Sequence, residues 1–127
     1  MPHSPQEFYR QMAINGEKRR LGFSGERRAA RYLKRQGYKI LERNFRCKMG
    51  EVDVIAQKGD AVAFVEVKTR TSDYFGEPNQ AVNSTRQERY KNAARYYFYG
   101  KSVNVTVRFD IIEVTKDGIN HIENAFY

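Results

Sequence analysis

Three residues near the middle of the chain carry chemistry by type and spacing: Asp53, then Glu66 and Lys68 within Glu66-Val67-Lys68. Two β-branched, apolar runs flank Lys58-Gly59-Asp60, the pattern of a β-hairpin with a two-residue loop at Gly59-Asp60. That loop pairs Lys58 with Ala61 and, further along, sets Asp53 opposite Glu66 and Glu51 opposite Lys68. Strand side chains alternate, so all four are expected on one face. Like charges facing each other destabilise a ladder, and a carboxylate inside Ala-Val-Ala-Phe-Val-Glu-Val is costly to bury uncompensated. A divalent cation between Asp53 and Glu66 relieves both costs, and hard oxygen ligands suit Mg²⁺ or Mn²⁺. Lys68 would project beside it, and Glu51 is expected as an accessory residue partnering Lys68.

The flanking elements must hold these groups in place. Ser4-Pro5-Gln6-Glu7 starts like a capped helix that ends at Asn15-Gly16, and Glu17–Gly22 reads as a basic connector. A helix is predicted from about Ser24 to the stop glycine Gly37. Its apolar stripe holds Glu26, Ala29, Ala30 and Leu33, with arginines mostly on the other side. Glu26 on that stripe has two readings: a first-turn acid favoured by the helix dipole, or a carboxylate aimed at the metal pocket. Tyr38–Lys48 reads as a strand leading into the hairpin, and Ser72–Pro78 as a loop beside the site. A second capped helix runs from Ser84 toward Gly100, with Gln87 as capping partner or accessory site residue and with Tyr90, Ala93, Ala94 and Tyr97 as core. Val103–Thr115 and a short strand near Ile119–Glu123 close the chain, with Asp110 expected as a buried, hydrogen-bonded acid. The resulting order of helix, three strands, helix, two strands suits an α/β fold, a mixed sheet of about five strands with helices on both faces.

Composition narrows the class. The chain has 127 residues, 40% hydrophobic and 30% charged, enough for one domain, expected over 21–127 behind an N-terminal segment of residues 1–20. One cysteine excludes an intramolecular disulfide framework, and no apolar run is long enough to span a bilayer, so a reducing cytoplasm and no membrane partner are expected. The net charge of +8 is uneven: residues 1–50 carry 13 Lys/Arg against 4 Asp/Glu, and the remainder is close to neutral. Cations beside an acidic pocket fit a nuclease, with Arg19, Arg20, Arg27, Arg28, Thr69 and Arg70 as candidate phosphate contacts.

An acid on one hairpin strand and Glu-x-Lys on the next resembles the PD-(D/E)XK nuclease superfamily, although Val52 stands where the proline of that name would be. A glutamate on the preceding helix, Glu26, resembles the archaeal Holliday-junction resolvase branch. Leu21-Gly22-Phe23-Ser24-Gly25-Glu26, Gly50-Glu51-Val52-Asp53-Val54-Ile55-Ala56, Phe64-Val65-Glu66-Val67-Lys68-Thr69-Arg70 and Arg108-Phe109-Asp110 are similar to the small bacterial YraN family. The resemblance implies a restriction-endonuclease-like fold and a metal-dependent endonuclease acting on DNA, including branched or flapped forms. It also implies the Val67 backbone carbonyl as a further metal ligand, DNA ahead of RNA, and a homodimer, as for junction cutters of this fold. The alternative is a non-catalytic nucleic-acid-binding module on the same scaffold.

Overall fold

The computed structural model describes residues 16–70 and 84–126, with side chains from residue 24 onward. The expected N-terminal helix, the side chains of Arg19 and Arg20 and the Ser72–Pro78 loop lie outside them. The elements are α1 (Gly16–Arg35), β1 (Lys39–Cys47), β2 (Gly50–Lys58), β3 (Ala61–Thr69), α2 (Ser84–Phe98), β4 (Thr106–Thr115) and β5 (Gly118–Phe126). The strands form one sheet in the order β1-β2-β3-β4-β5. β3 and β4 are parallel and the other neighbours antiparallel, which makes the sheet mixed. A parallel step needs a long crossover, and the segment carrying α2 supplies it.

Each helix covers one face. Tyr90, Ala93 and Ala94 of α2 pack on Val52, Ile55, Phe64, Ile111 and Phe126. Ala29 and Leu33 of α1 pack on Val54, Ala63, Val65, Ile112 and Val114. Neighbours such as Phe64 and Val65 thus serve opposite cores, which is why β3 is apolar without a break. Burying each large aliphatic or aromatic side chain contributes about 1.5–3 kcal/mol, so these two layers dominate the stability of the sheet.

The hairpin loop is as expected: Lys58 pairs with Ala61, and Gly59 takes φ 61°. Gly37, at φ 96°, ends α1 where expected, with Tyr38 N donating to Leu33 O at 2.9 Å. Three boundaries differ. Residues 17–22 are not a connector but the first turns of α1. Lys and Arg are good helix formers, and Gly22 costs only about 1 kcal/mol against alanine. β4 begins at Thr106, not Val103. β5 runs on to Phe126, where stacking of Phe126 on Phe109 at 5.2 Å and the bond from Asn124 N to Asp110 Oδ1 at 3.0 Å extend the ladder.

Candidate active site

The hairpin register holds from Lys58–Ala61 to Val54–Val65, and there the β2–β3 ladder stops. Past it, the Asp53 side chain takes over the hydrogen bonding: its Oδ2 accepts from Val67 N at 2.8 Å. Val52 packs in the α2-side core and Val54 in the α1-side core, although residues two apart in a regular strand share a face. β2 therefore turns over at Asp53. Opposite it on β1, Asn44 takes φ 53°, a left-handed conformation that Asn tolerates better than most residues. The expectation that Glu51, Asp53, Glu66 and Lys68 share one regular face fails here, because alternation is broken at the acid itself. Glu51 does not partner Lys68. It faces Arg46 across β1–β2, with Oε1 3.7 Å from Arg46 Nε.

Glu66 is 2% exposed. Its Oε2 accepts from the Tyr90 hydroxyl, while Oε1 lies 3.4 Å from Lys68 Nζ and 3.3 Å from Arg86 Nε. Tyr90 is buried, and its hydroxyl is also 3.4 Å from Asp53 N, so one phenol ties α2 to both acid-bearing strands. Burial, then the carboxylates of Asp53 and Glu66, hold the Tyr90 hydroxyl in its protonated, donating form well above the usual tyrosine range.

Asp53 has its carboxyl pushed up to about 7, first by burial and then by Glu66 and Glu26, against the bond from Val67 N. Glu26 is raised as well, again by burial first; Arg43 and a bond from Asn44 oppose the shift, while Glu51 and Glu66 add to it. α1 thus carries Glu26 near enough for Glu66 to act on its carboxyl and for it to act on that of Asp53. Its Oε2 is buried without a hydrogen-bond partner.

These observations test whether a cation fits. Two carboxyls raised by burial and by neighbouring acids, Asp53 and Glu26, the second with an oxygen buried and unpartnered, form a hard-oxygen donor set whose charge a divalent ion would balance. Among the described residues no three His, Cys, Asp or Glu side chains are placed to hold one ion. Mg²⁺ or Mn²⁺ would take one or two of these carboxylates, with water and substrate oxygens completing the shell.

The other expected residues serve in different places. Arg70 pairs with buried Glu113 at 3.1 Å, and Arg28 donates to Thr115 O. Thr69 packs against α1, where a side chain on Gly25 would strike its Oγ1. Arg27 is exposed on α1, and Gln87 lies half-buried in the first turns of α2. Asp110 is the buried, bonded acid expected: burial would raise its carboxyl, but His121, Arg108 and Asn124 N together lower it. Sequence reasoning missed Tyr90 and Arg86 as partners of Glu66. Tyr90 was legible only as a core aromatic, and nothing in the spacing of Arg86 points back to β3. The described residues contain no helix long and apolar enough to cross a membrane.

A profile of the uncharacterised protein family UPF0102 matches residues 25–114, the span that holds Glu26, Asp53, Glu66 and Lys68. A UPF0102 protein of Caldicellulosiruptor saccharolyticus is 49% identical over 116 residues, covering 86% of this chain and 98% of that protein. Another, from Thermodesulfovibrio yellowstonii, is 48% identical over 107 residues, covering 84% of this chain and 96% of that protein. A third, from Geobacter metallireducens, is 47% identical over 111 residues, covering 84% and 91%. With its α/β architecture, its five-stranded mixed sheet and these matches, the chain belongs to the UPF0102 family, the YraN family its motifs resemble.

Proposed function

We propose that the protein hydrolyses phosphodiester bonds in nucleic acid, DNA ahead of RNA, with Mg²⁺ or Mn²⁺ held by Asp53 and Glu66. Glu26 and the Val67 carbonyl are further oxygen donors in this reading. The observation that carries it is the grouping of acids, with Asp53 raised to about 7 by burial and by Glu66. A fold that served packing alone would gain nothing from such a grouping. When bound, the cation would polarise the scissile phosphate and acidify a water. Tyr90 fixes the Glu66 carboxylate through Oε2 and leaves Oε1 toward Lys68 and Arg86. Lys68, partly exposed beside Glu66, can orient the attacking water or offset charge building on the phosphate. Arg86 carries a second positive charge to the same edge.

One observation favours a non-catalytic binding module: Glu66 is already compensated from within by Tyr90, Lys68 and Arg86. A panel of duplex, single-stranded, flapped and four-way DNA, with RNA, separates the two. Hydrolysis that requires Mg²⁺ or Mn²⁺ and is lost in Glu66→Ala is expected. Cleavage of nothing in the panel, or equal cleavage by Glu66→Ala, would end the enzyme reading.

A further inference from the structure

A basic and aromatic seam runs between α2 and the β1–β2 turn, outside the carboxylate cluster. Its first stretch is a hollow of about 450 Å³ lined by Arg46, Cys47, Arg86, Arg89 and Tyr90, among others. Arg86 and Tyr90 also contact Glu66, so this stretch abuts the acids. The last turns of α2, with Tyr96, and Tyr99 just past its end line a second hollow of about 480 Å³, facing Lys48 and Met49 of the turn. The two linings together hold five Lys/Arg against one carboxylate, Glu51. Gly50, at φ 142°, holds a turn conformation that L side chains rarely adopt, and its Cβ position would be in ordinary contact with Arg89 Cβ at 3.5 Å.

The aromatics decide what such a seam suits. Tyr90 and Tyr97 pack in the core, but Tyr96 is 48% and Tyr99 87% exposed. Exposed rings interleaved with cations make a stacking platform for bases whose faces are open. In a duplex those faces are already stacked on their neighbours. From Arg86 to Arg95 the helix spans about 14 Å, at about 1.5 Å per residue. That is the length of about four stacked nucleotides at 3.4 Å each.

We propose that this seam binds an unpaired nucleic-acid strand, with phosphates on Arg46, Arg86 and Arg89 and bases on Tyr96 and Tyr99, and leads it to the carboxylates. The direction of delivery rests on the phosphodiesterase reading; the binding does not. The substrate class is then a single strand or the unpaired arm of a branched nucleic acid.

Binding is measured in EDTA, where no cleavage is read, by anisotropy of a labelled twelve-nucleotide oligo(dT) and of a blunt duplex of equal length. The single strand should bind more tightly than the duplex. Tyr96→Ala and Tyr99→Ala should each weaken it roughly tenfold. Tyr99→Phe, which keeps the ring, should bind like the parent. Arg46→Ala with Arg89→Ala should reduce the salt slope by about 1.4, two single-strand phosphate contacts. Cys47, the one cysteine of the chain, lines the seam, and saturating oligonucleotide should slow its alkylation by iodoacetamide. Duplex bound as tightly as single strand, alanine variants binding like the parent, or unprotected Cys47 would each overturn the assignment. An inactive protein with these binding changes loses the hydrolysis reading and keeps this one. A protein that cleaves duplex with unaltered tyrosine variants does the reverse.

Discussion

Asp53 is where the physical tension of the site is held. Its carboxyl rises in the fold from the ordinary 3.8 to about 7, so the native state keeps a proton there that the unfolded chain has already released. The stability linked to that proton is full below pH 4 and drains away as pH rises toward 7. In metal-free buffer, Asp53→Asn removes the drain while an amide oxygen can still accept from Val67 N. Thermal melts at pH 8 should place this variant above the parent by roughly 5 °C, with a smaller difference at pH 5. Equal melting of the two proteins at pH 8 would show that Asp53 carries no such strain. Tyr90→Phe tests the partner side. It deletes the donor to a buried carboxylate and should cost about 1.5–3 kcal/mol. A lowered urea midpoint at unchanged m-value would report that loss; an unmoved midpoint would mean the hydroxyl is dispensable.

At the scale of elements, the site depends on how α1 sits on β3. Gly25 lies directly over Thr69, one residue past Lys68, and a Cβ there would fall 2.0 Å from Thr69 Oγ1. Glu26 follows Gly25, so the seating of this glycine sets how near the third acid comes to Asp53. Gly25→Ala should destabilise the fold by about 1–3 kcal/mol, the usual cost of overpacking. Thr69→Ala removes the struck hydroxyl, and the double variant should recover most of that loss. Two losses that simply add in chemical denaturation would mean the contact is not what seats α1. The turnover of β2 at Asp53 is a second device of this scale. It ends the ladder with β3 and frees the acid to bond Val67 N.

Over the whole molecule, a second polar network lies across β4, β5 and α1. Asp110 binds Arg108, His121 Nε2 at 2.8 Å and Asn124 N, and His121 Nδ1 meets the Tyr32 hydroxyl at 3.1 Å. Asp110 titrates with the opposite sign to Asp53. Its folded-state carboxyl lies below the ordinary 3.8, so its contribution is present above that value and is lost as pH falls through the lowered one. A melting profile of the metal-free protein should therefore show an acid limb from Asp110 and a neutral limb from Asp53. Asp110→Asn should flatten the acid limb of a melting profile, at an overall cost of about 3–5 kcal/mol for breaking a buried pair. Saturating Mn²⁺ should lift the neutral limb alone. A profile with no acid limb in the parent, or a cation that raises all pH values equally, would contradict this division.

Local signals in the sequence were enough for much of the fold. Lys58-Gly59-Asp60 and its apolar flanks determined the hairpin register, because the two-residue loop leaves one pairing and a slip would expose the core face. Gly37 ended α1 for an equally local reason. Asp53, Glu66 and Lys68 were legible as candidates through the hairpin loop and the cost of burying Glu66, and Glu26 through its place on an apolar stripe. Tertiary contact decided the rest. Tyr90 and Arg86 reach Glu66 from an element far along the chain, and Arg70 and Arg28 turn inward to Glu113 and Thr115. Alternation misjudged Glu51, because the strand turns over at Asp53 under the combined packing of both helices. Hydrophobic pattern specifies which residues are buried; which charges meet there depends on how α1 and α2 close on the two faces of the sheet.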